Sequence, residues 1–375
     1  MSKNPESRRL TSGQFRCLFP ALSRQVWLDT PAAPPAATPV SQALKTAIDQ
    51  WTSGDFAWTD WVDAGDEARV IFARLLGVSP STVALLASTG EAAATVAKDL
   101  PAGDIVIGDL EYRSLLFPFM NAEDGEHQLI RATSGAPGVR TSDLIAAITK
   151  RARLVVVSDV LSQDGHRLDL KRLREATDAV GAQLFVDATQ SLGALRFDYD
   201  RIRPDYLVVH GYKWLLTPRG AAFLVVRDSL VRDMRPLAPN VQSSIDGMYF
   251  GGTPSLWPTA ARLDTSPAWL SWVGARSALA LLSTLGAQQV EEHCLDLANQ
   301  FRVAAHDLGY QVLDPHGSSQ IVTVEVPNPG KLTVSLRDHR IRCLLTPAGR
   351  LRVGFHYFNN SNDLEAVVAA LKDGR

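Results

Sequence analysis

Short apolar runs alternate with longer amphipathic stretches through the middle of the chain, and this alternation constrains the fold more than any other feature. The runs cover residues 83–87, 105–107, 128–130, 154–157, 184–186, 206–209 and 222–226. Continuous Val/Ile/Leu runs are typical of strands buried on both faces, and strands that alternate with helices form parallel sheets. The sequence therefore predicts an α/β fold around a mostly parallel sheet.

The sequence on either side of this region has a different pattern. Residues 28–39 are rich in Pro and Ala, which predicts an extended segment. Within the alternating region the clearest helix is at 168–180, with Gly181 as its C-cap. After about residue 265 we expect helices at 272–285, 288–308 and 363–371 and strands at 320–326, 340–345 and 350–354. This second pattern predicts a smaller α+β domain at the C-terminus.

Composition excludes several classes of protein. The 375 residues carry 38 Lys+Arg and 40 Asp+Glu, a net charge of −2, and 46% are hydrophobic. This balance argues against a disordered chain and a broad nucleic-acid surface. No apolar stretch approaches the roughly 18 residues that span a bilayer, and residues 1–16 do not resemble a signal peptide, so we expect a cytoplasmic protein without a membrane partner. Three scattered cysteines favour neither a disulfide framework nor a metal site.

Polar residues follow five of the predicted strands, where parallel sheets bind their ligands. These polar stretches are residues 88–91, 109–113, 158–159, 187–190 and 210–213. They contain Ser, Thr, Gly, Asp, Gln, His and Lys. Loops that only face solvent do not need so many side chains that can bind or react. We therefore expect one site assembled from these stretches.

Asp187 and Lys213 are the two strongest candidates for chemistry. Asp187 directly follows a predicted buried strand, where an unpaired carboxylate is costly, although it would equally cap the next helix. Lys213 either extends to water or, if desolvated near other cations, loses its proton and becomes a nucleophile toward carbonyls. An acidic partner for a pyridinium nitrogen and a Schiff-base lysine are the pair that pyridoxal phosphate needs.

A phosphate would need its own binding site. Ser88, Thr89 and Gly90 follow a predicted strand and begin a predicted helix, where hydroxyls and free amides favour an anion, although Ser and Thr are also common N-caps. The chain has neither GxGxxG after its first strand nor GxxxxGK[ST]. The sequence therefore argues against an NAD- or SAM-dependent Rossmann enzyme and against a P-loop protein.

The residues around Asp187 and Lys213 resemble the class V aminotransferase family, which includes cysteine desulfurases, kynureninases and isopenicillin N epimerase-like proteins. The matching residues are 184–193 (LFVDATQSLG), Asp205, 211–215 (GYKWL), Pro218 and Gly220. The resemblance extends from about residue 27 to the C-terminus. It implies a PLP-dependent transferase of fold type I, with a seven-stranded, mostly parallel sheet in the large domain. We expect an N-terminal segment (1–39) on the small domain, a large PLP-binding domain (40–265) and a small domain (266–375).

The resemblance also implies roles at the cofactor. Lys213 would form the Schiff base and move a proton, and Asp187 would keep the pyridine nitrogen protonated. Gln190 would form a hydrogen bond with the ring hydroxyl, which Asp159 would also approach. Tyr112 would lie over the cofactor face, unless it is simply a packed or surface tyrosine. The implied phosphate ligands are Ser88, Thr89, Gly90, His210 and Tyr212.

Residues 351–359 resemble the family's Arg…His…Tyr-Asn signature, which implies that Arg352 binds the substrate α-carboxylate. Arg113 and Trp58 would shape the pocket for the substrate side chain. Residues 262–267 resemble a loop that reaches the partner's phosphate across a dimer interface, with Ser266 as the donor. Residues 251–254 (GGTP) are a rival for that role. The resemblance thus implies a homodimer with shared sites.

The reaction is less constrained than the cofactor. We expect an enzyme that acts on an α-amino acid, with transamination first and C–S lyase or kynureninase-like side-chain cleavage as the alternative. Cys343 lies in an apolar run without the sequence context of a desulfurase thiol, and we expect it to be structural. A non-catalytic protein of this fold is the remaining hypothesis, and the presence of both Lys213 and Asp187 argues against it.

Overall fold

The computed structural model describes residues 9–122, 126–134 and 138–375. Its strands are β1 (Val26–Trp27), β2 (Val83–Leu86), β3 (Gly103–Gly108), β4 (His127–Ala132), β5 (Ala152–Ser158), β6 (Gln183–Asp187), β7 (Tyr206–His210), β8 (Ala222–Val226), β9 (Gln311–Val312), β10 (Ile321–Glu325), β11 (Ile341–Arg342), β12 (Leu344–Leu345) and β13 (Arg350–Gly354). Its helices are α1 (Ser12–Arg16), α2 (Thr38–Ser53), α3 (Trp58–Leu76), α4 (Thr89–Ala97), α5 (Arg113–Asn121), α6 (Thr141–Ala147), α7 (Leu170–Val180), α8 (Tyr199–Ile202), α9 (Asp228–Val231), α10 (Trp269–Leu282), α11 (Ala287–Asp307), α12 (Pro329–Asp338) and α13 (Ser361–Asp373).

The seven apolar runs all form strands, and they join one seven-stranded sheet in the order β2-β8-β7-β6-β5-β3-β4. Only β8 pairs antiparallel with its neighbours, so the other six strands run in the same direction. The α/β fold with a mostly parallel seven-stranded sheet is therefore confirmed. Because six strands end on one edge, their polar C-terminal residues meet there.

Both faces of this sheet are covered, which explains the continuous apolar runs. Along β6, Leu184 and Val186 join one buried cluster with α3, α7 and α10, whereas Phe185 joins a second cluster with α4 and α5. Side chains alternate between the faces of a strand, so a strand covered on both faces has no polar position. Helix α7 ends as predicted at Gly181, in the left-handed conformation with φ 72°.

The C-terminal elements form a second, antiparallel sheet in the order β12-β13-β10-β9. The single strand predicted over 340–345 is instead two short strands. β11 pairs in parallel with β1, whereas β12 pairs with β13 in the other sheet, so the chain changes sheets at Cys343. Residues 341–345 form one apolar run in the sequence, and this run does not reveal that the chain moves from one sheet to the other. The domain boundaries at residues 39 and 265 stay predictions.

A buried ion pair fixes the edge strand β2. Arg69 of α3 bonds to Asp264 at 2.5 Å, and Asp264 also accepts the backbone N–H of Leu85 at 2.8 Å. Burial raises the pKa of Asp264 to about 6, while Arg69 acts in the opposite direction. Removing one partner from such a pair leaves an uncompensated buried charge.

We expect Arg69→Met to lower the free energy of unfolding by about 3–5 kcal/mol, and Arg69→Met combined with Asp264→Leu to restore most of that loss. Urea denaturation of the apoprotein measures both. Arg276→Met is the matched control, because the Arg276–Glu67 pair is exposed at 3.4 Å and should contribute less than about 1 kcal/mol. Equal losses for the two single variants would contradict this account.

Candidate active site

A cavity opens at the edge of the large sheet where β2, β5, β6 and β7 end. It is lined by Ser88, Thr89, Tyr112, Ser114, Ser158, Ser162, Asp187, Thr189, Gln190, His210, Tyr212, Lys213 and Arg219. Eight of the residues predicted for the site are in this set. The structure thus brings together side chains that lie as much as 131 positions apart, from Ser88 to Arg219.

Lys213 lies in a tight loop between β7 and β8. The backbone N–H of Gly211 bonds to Ala221 and that of Thr217 bonds to Gly211, at 3.0 and 3.1 Å. A Cβ on Gly211 would lie 2.6 Å from the Thr217 hydroxyl, so only glycine fits two positions before the lysine. This loop turns the Lys213 side chain into the cavity instead of toward water.

The Lys213 amine is desolvated and surrounded by aromatic rings. Its Nζ is 5.4 Å from the Tyr112 ring centre and 5.6 Å from that of Tyr212, and the residue is 5% exposed. Burial lowers the pKa of Lys213 to about 8, helped by Arg352 and Arg219 and opposed by Asp187. Such an amine is partly neutral near pH 8 and therefore nucleophilic.

Asp187 ends β6 and is equally buried. Its Oδ1 accepts the backbone N–H of Thr189 at 2.8 Å. Burial raises the pKa of Asp187, while the hydrogen bonds from Thr189 and the charge of Lys213 act to lower it. Among the described residues no cation forms an ion pair with this carboxylate. Asp187 is thus suited to a cationic ligand group.

The start of α4, in contrast to Asp187, favours a negatively charged ligand group. Ser88 caps this helix by accepting the Glu91 N–H at 3.2 Å, and Ser88 and Thr89 both line the cavity, so the N-terminus of α4 borders it. His210 lies there with a buried Nε2 that has no hydrogen-bond partner among the described residues. Burial, Arg219 and Lys213 together lower the pKa of His210 to about 4, so its ring is neutral. Arg219, which stacks on Tyr212 at 5.0 Å, supplies a permanent charge.

Arg352 of β13 lies beside this cavity, at a second cavity of about 660 Å³ that shares Tyr112, Ser114 and Ser162. Its Nη1 donates to the Ser162 carbonyl at 2.6 Å and to the Ser162 hydroxyl at 2.9 Å. Its Nε is buried without a hydrogen-bond partner among the described residues, and burial lowers the pKa of this guanidinium. Arg113 lines the same outer cavity and is exposed.

Four other predicted residues are placed differently. Asp159 is not among the residues that line the cavity: its Oδ1 pairs with Arg167 at 3.3 Å, and its Oδ2 is buried without a hydrogen-bond partner among the described residues. Gly90 lies in the first turn of α4, outside the lining. Trp58 is in neither cavity and stacks on Trp269 at 6.2 Å.

Ser266, the fourth, is exposed three residues before Trp269 and away from this chain's cavity. Its predicted role is in the partner's site, so this position agrees with that role without testing it.

Gln190 lines the cavity and already has three side-chain hydrogen bonds. Its amide nitrogen donates to the Pro31 carbonyl and to the Ser162 hydroxyl, both at 3.0 Å, and its oxygen accepts from Trp214 at 3.0 Å. The second lone pair of this oxygen is free to accept a hydrogen bond from a cofactor ring hydroxyl. The predicted role of Gln190 stays a prediction.

Five lining residues were not predicted for the site from the sequence: Ser114, Ser158, Ser162, Thr189 and Arg219. Arg219 lies between Pro218 and Gly220, two positions that were noticed for the resemblance but not for charge. Thr189 was within a candidate stretch without a role, and it bonds to both Asp187 and the backbone N–H of His210. Ser162 is four residues past the end of β5, beyond the strand-end positions that the pattern identifies.

None of the three cysteines lines either cavity. Cys17 is exposed after α1, and Cys294 is buried in α11, where burial raises the pKa of its thiol. Burial also raises the pKa of Cys343 to about 12. A thiolate nucleophile is therefore disfavoured at the two more buried positions.

A family model described as aminotransferase class-V matches residues 26–367. The chain belongs to the class V aminotransferase family. It is 26% identical to the uncharacterized aminotransferase YcbU of Bacillus subtilis, over 95% of this chain and 96% of that protein. It is 22% identical to a probable cysteine desulfurase of Methanothermobacter thermautotrophicus, over 95% and 96% respectively.

Solved structures show the same fold at lower identity. The cysteine desulfurase CsdA of Escherichia coli aligns with a TM-score of 0.83 at 20% identity, over 97% of this chain and 98% of that one. The cystine C–S lyase C-DES aligns with a TM-score of 0.82 at 19% identity, over 95% and 99%. The PLP-dependent fold type I predicted from the sequence is therefore confirmed.

Pyridoxal phosphate is the cofactor of this family, as predicted, and a further structure of C-DES contains it. The residues of the cavity fit this group. The orphaned Nε2 of His210, Arg219 and the start of α4 suit a phosphate, and the unpaired Asp187 suits a protonated ring nitrogen. Lys213 has a desolvated amine suited to an aldehyde.

The low pKa of Lys213 predicts how fast the apoprotein takes up pyridoxal phosphate. Below about pH 8 the uptake rate should rise about tenfold per pH unit, because only the neutral amine reacts, and it should level off above that pH. Stopped-flow growth of the visible absorption band measures the rate, with Lys213→Ala as the variant that forms no band. A midpoint at the ordinary lysine value of 10.5 would show that the amine is hydrated.

Proposed function

We propose that this protein is a PLP-dependent aminotransferase that acts on an α-amino acid, with Lys213 as the residue that bonds to the cofactor. The observation that carries the proposal is the desolvated Lys213 amine, which shares one cavity with an unpaired Asp187. The relative named as an aminotransferase, which aligns over nearly the full length of both chains, supports the same choice.

Substrate binding follows from the charges around the two cavities. Arg352 offers its remaining N–H groups to the substrate carboxylate, and this fixes the amino acid with its Cα near Lys213. Tyr112 is 43% exposed at the border of the two cavities, where its ring covers the ligand. The outer cavity accommodates the substrate side chain and contains Arg113.

Lys213 and Asp187 determine where protons are held during the reaction. Pyridoxal phosphate, when bound, withdraws electrons from the bonds to the substrate Cα. Lys213 Nζ accepts the proton from Cα and returns it elsewhere on the reacting system. The negative Asp187 keeps the ring nitrogen protonated, because a buried carboxylate strongly favours a cationic partner.

Carbon–sulfur bond cleavage is the second candidate. The C–S lyase and the desulfurases among the similar proteins favour it, and elimination begins from the same deprotonated Cα. Because no cysteine lines the two cavities, such a reaction would release the sulfur product without a persulfide on this protein.

Incubation of the holoenzyme with a panel of the twenty amino acids tests the reaction. We expect one or more of them to convert the cofactor to its pyridoxamine form and to release the matching 2-oxo acid. Pyruvate released without that conversion would instead establish elimination. Lys213→Ala should abolish both, and Asp187→Asn should lower kcat by at least about a hundredfold because the ring nitrogen loses its counter-charge.

Protein that stays colourless after pyridoxal phosphate is added would overturn the cofactor assignment. That result would instead favour the hypothesis of a non-catalytic protein, because Lys213 and Asp187 would then be present without binding the cofactor.

We further propose that the active form is a homodimer with shared sites. Exposed aromatic side chains surround Ser266 and the 251–254 segment: Trp58, Tyr249, Phe250 and Trp269 are 39%, 61%, 89% and 39% exposed. Large exposed apolar patches are typical of interfaces. In a dimer this patch would bring Ser266 or Thr253 to the partner's phosphate.

Light scattering on the active protein should give twice the mass of one chain. Ser266→Ala should weaken pyridoxal phosphate binding about tenfold if Ser266 donates to the phosphate, whereas Thr253→Ala should not. The reverse result would assign the contact to the 251–254 segment. A fully active monomer would rule out a shared site.

A further inference from the structure

Ser162 lies where three parts of the molecule meet. Its loop follows β5, and its hydroxyl is 3.0 Å from Gln190 Nε2 and 2.9 Å from Arg352 Nη1. These two partners come from the end of β6 and from the C-terminal sheet. The Ser162 side chain lines both the inner and the outer cavity.

The orientation of the Gln190 amide is fixed by its other partners. Trp214 Nε1 is only a donor and the Pro31 carbonyl is only an acceptor, each at 3.0 Å from Gln190. A flipped amide would place donor against donor and acceptor against acceptor. The group that faces Ser162 is therefore the N–H.

Arg352 is a donor in every protonation state that a protein allows. The Ser162 oxygen thus receives two hydrogen bonds, which use both of its lone pairs. Its own proton must point elsewhere, and no residue in the described ranges accepts it. The cavities are the remaining space next to this hydroxyl.

The loop that carries Ser162 is firmly held. Thr323 donates to the Gln163 carbonyl at 3.0 Å, and Asp164 pairs with Arg140 at 2.9 Å. Gly165, with φ 77°, packs so closely on Ile321 that a Cβ would overlap its carbonyl. The direction of the free proton is therefore built into the fold before any ligand arrives.

We propose that Ser162 donates a hydrogen bond to the α-carboxylate of the substrate, beside Arg352. The inference rests on the proposed function, because it needs an amino-acid substrate at Arg352. Arg352 Nη1 is already bonded to Ser162, which leaves Nη2 and the unpartnered Nε for the ligand. The serine O–H adds a donor of fixed direction next to them, and together these donors match the two oxygens of a carboxylate.

Titration of the holoenzyme with L-alanine and with ethylamine tests this role, because the two ligands differ by the carboxylate and by little else. Changes in the visible cofactor spectrum report binding, and the best amino acid of the panel is titrated in parallel. We expect Ser162→Ala to raise the dissociation constant for L-alanine about tenfold and to change that for ethylamine less than twofold. Ser162→Thr keeps the hydroxyl and should restore most of the L-alanine affinity.

The other outcomes separate the explanations. Equal weakening for both ligands would mean that Ser162→Ala only disturbs the loop, and would overturn the proposal. A shifted cofactor spectrum without a change in L-alanine affinity would assign the donor to the cofactor ring oxygen, and would overturn it too. If wild-type holoenzyme forms but binds no amino acid in the panel, the proposed function fails, and this inference fails with it.

Discussion

The burial of Lys213 beside Asp187 is the constraint on which the site depends. Each group is nearly removed from water, and burial lowers the pKa of Lys213 to about 8 while it raises that of Asp187. The two are not in contact as an ion pair, so neither fully compensates the other. A ligand with an electrophilic group next to the amine and a cationic group next to the carboxylate would offset the free-energy cost of burying both side chains. The two desolvated groups therefore favour a ligand that carries both features.

The large sheet makes this burial possible. Six strands that run in one direction bring their polar ends to one edge, and helices on both faces exclude water from below it. The antiparallel β8 has a separate function, because it lets the chain return to the sheet beside β7 after eleven residues. Lys213 therefore lies on a loop that is held at both ends by adjacent strands, and its side chain is buried.

The sequence predicted those parts of the site that depend on strand ends. Asp187 and Lys213 each follow an apolar run, and a parallel sheet is sufficient to bring them together. Other contacts depend on loops, and the hydrophobic periodicity of the sequence does not define the path of a loop. The loop after β5 brings Oδ1 of Asp159 to Arg167, and the same loop carries Ser162 to Arg352, 190 positions away. The change of sheets at Cys343 was missed for a related reason, because apolar pattern alone does not say which sheet a short strand joins.

The two arginines around the lysine give the site a further property. Arg219 and Arg352 both lower the pKa of Lys213, and each faces a position suited to an anion. A phosphate next to Arg219 and a carboxylate next to Arg352 would cancel those two effects. Lys213 would then hold a proton more strongly when the site is filled than when it is empty. On the proposed function, the amine would be more often neutral, and so more nucleophilic, while the site is empty, and it would be a stronger base once both anions are bound.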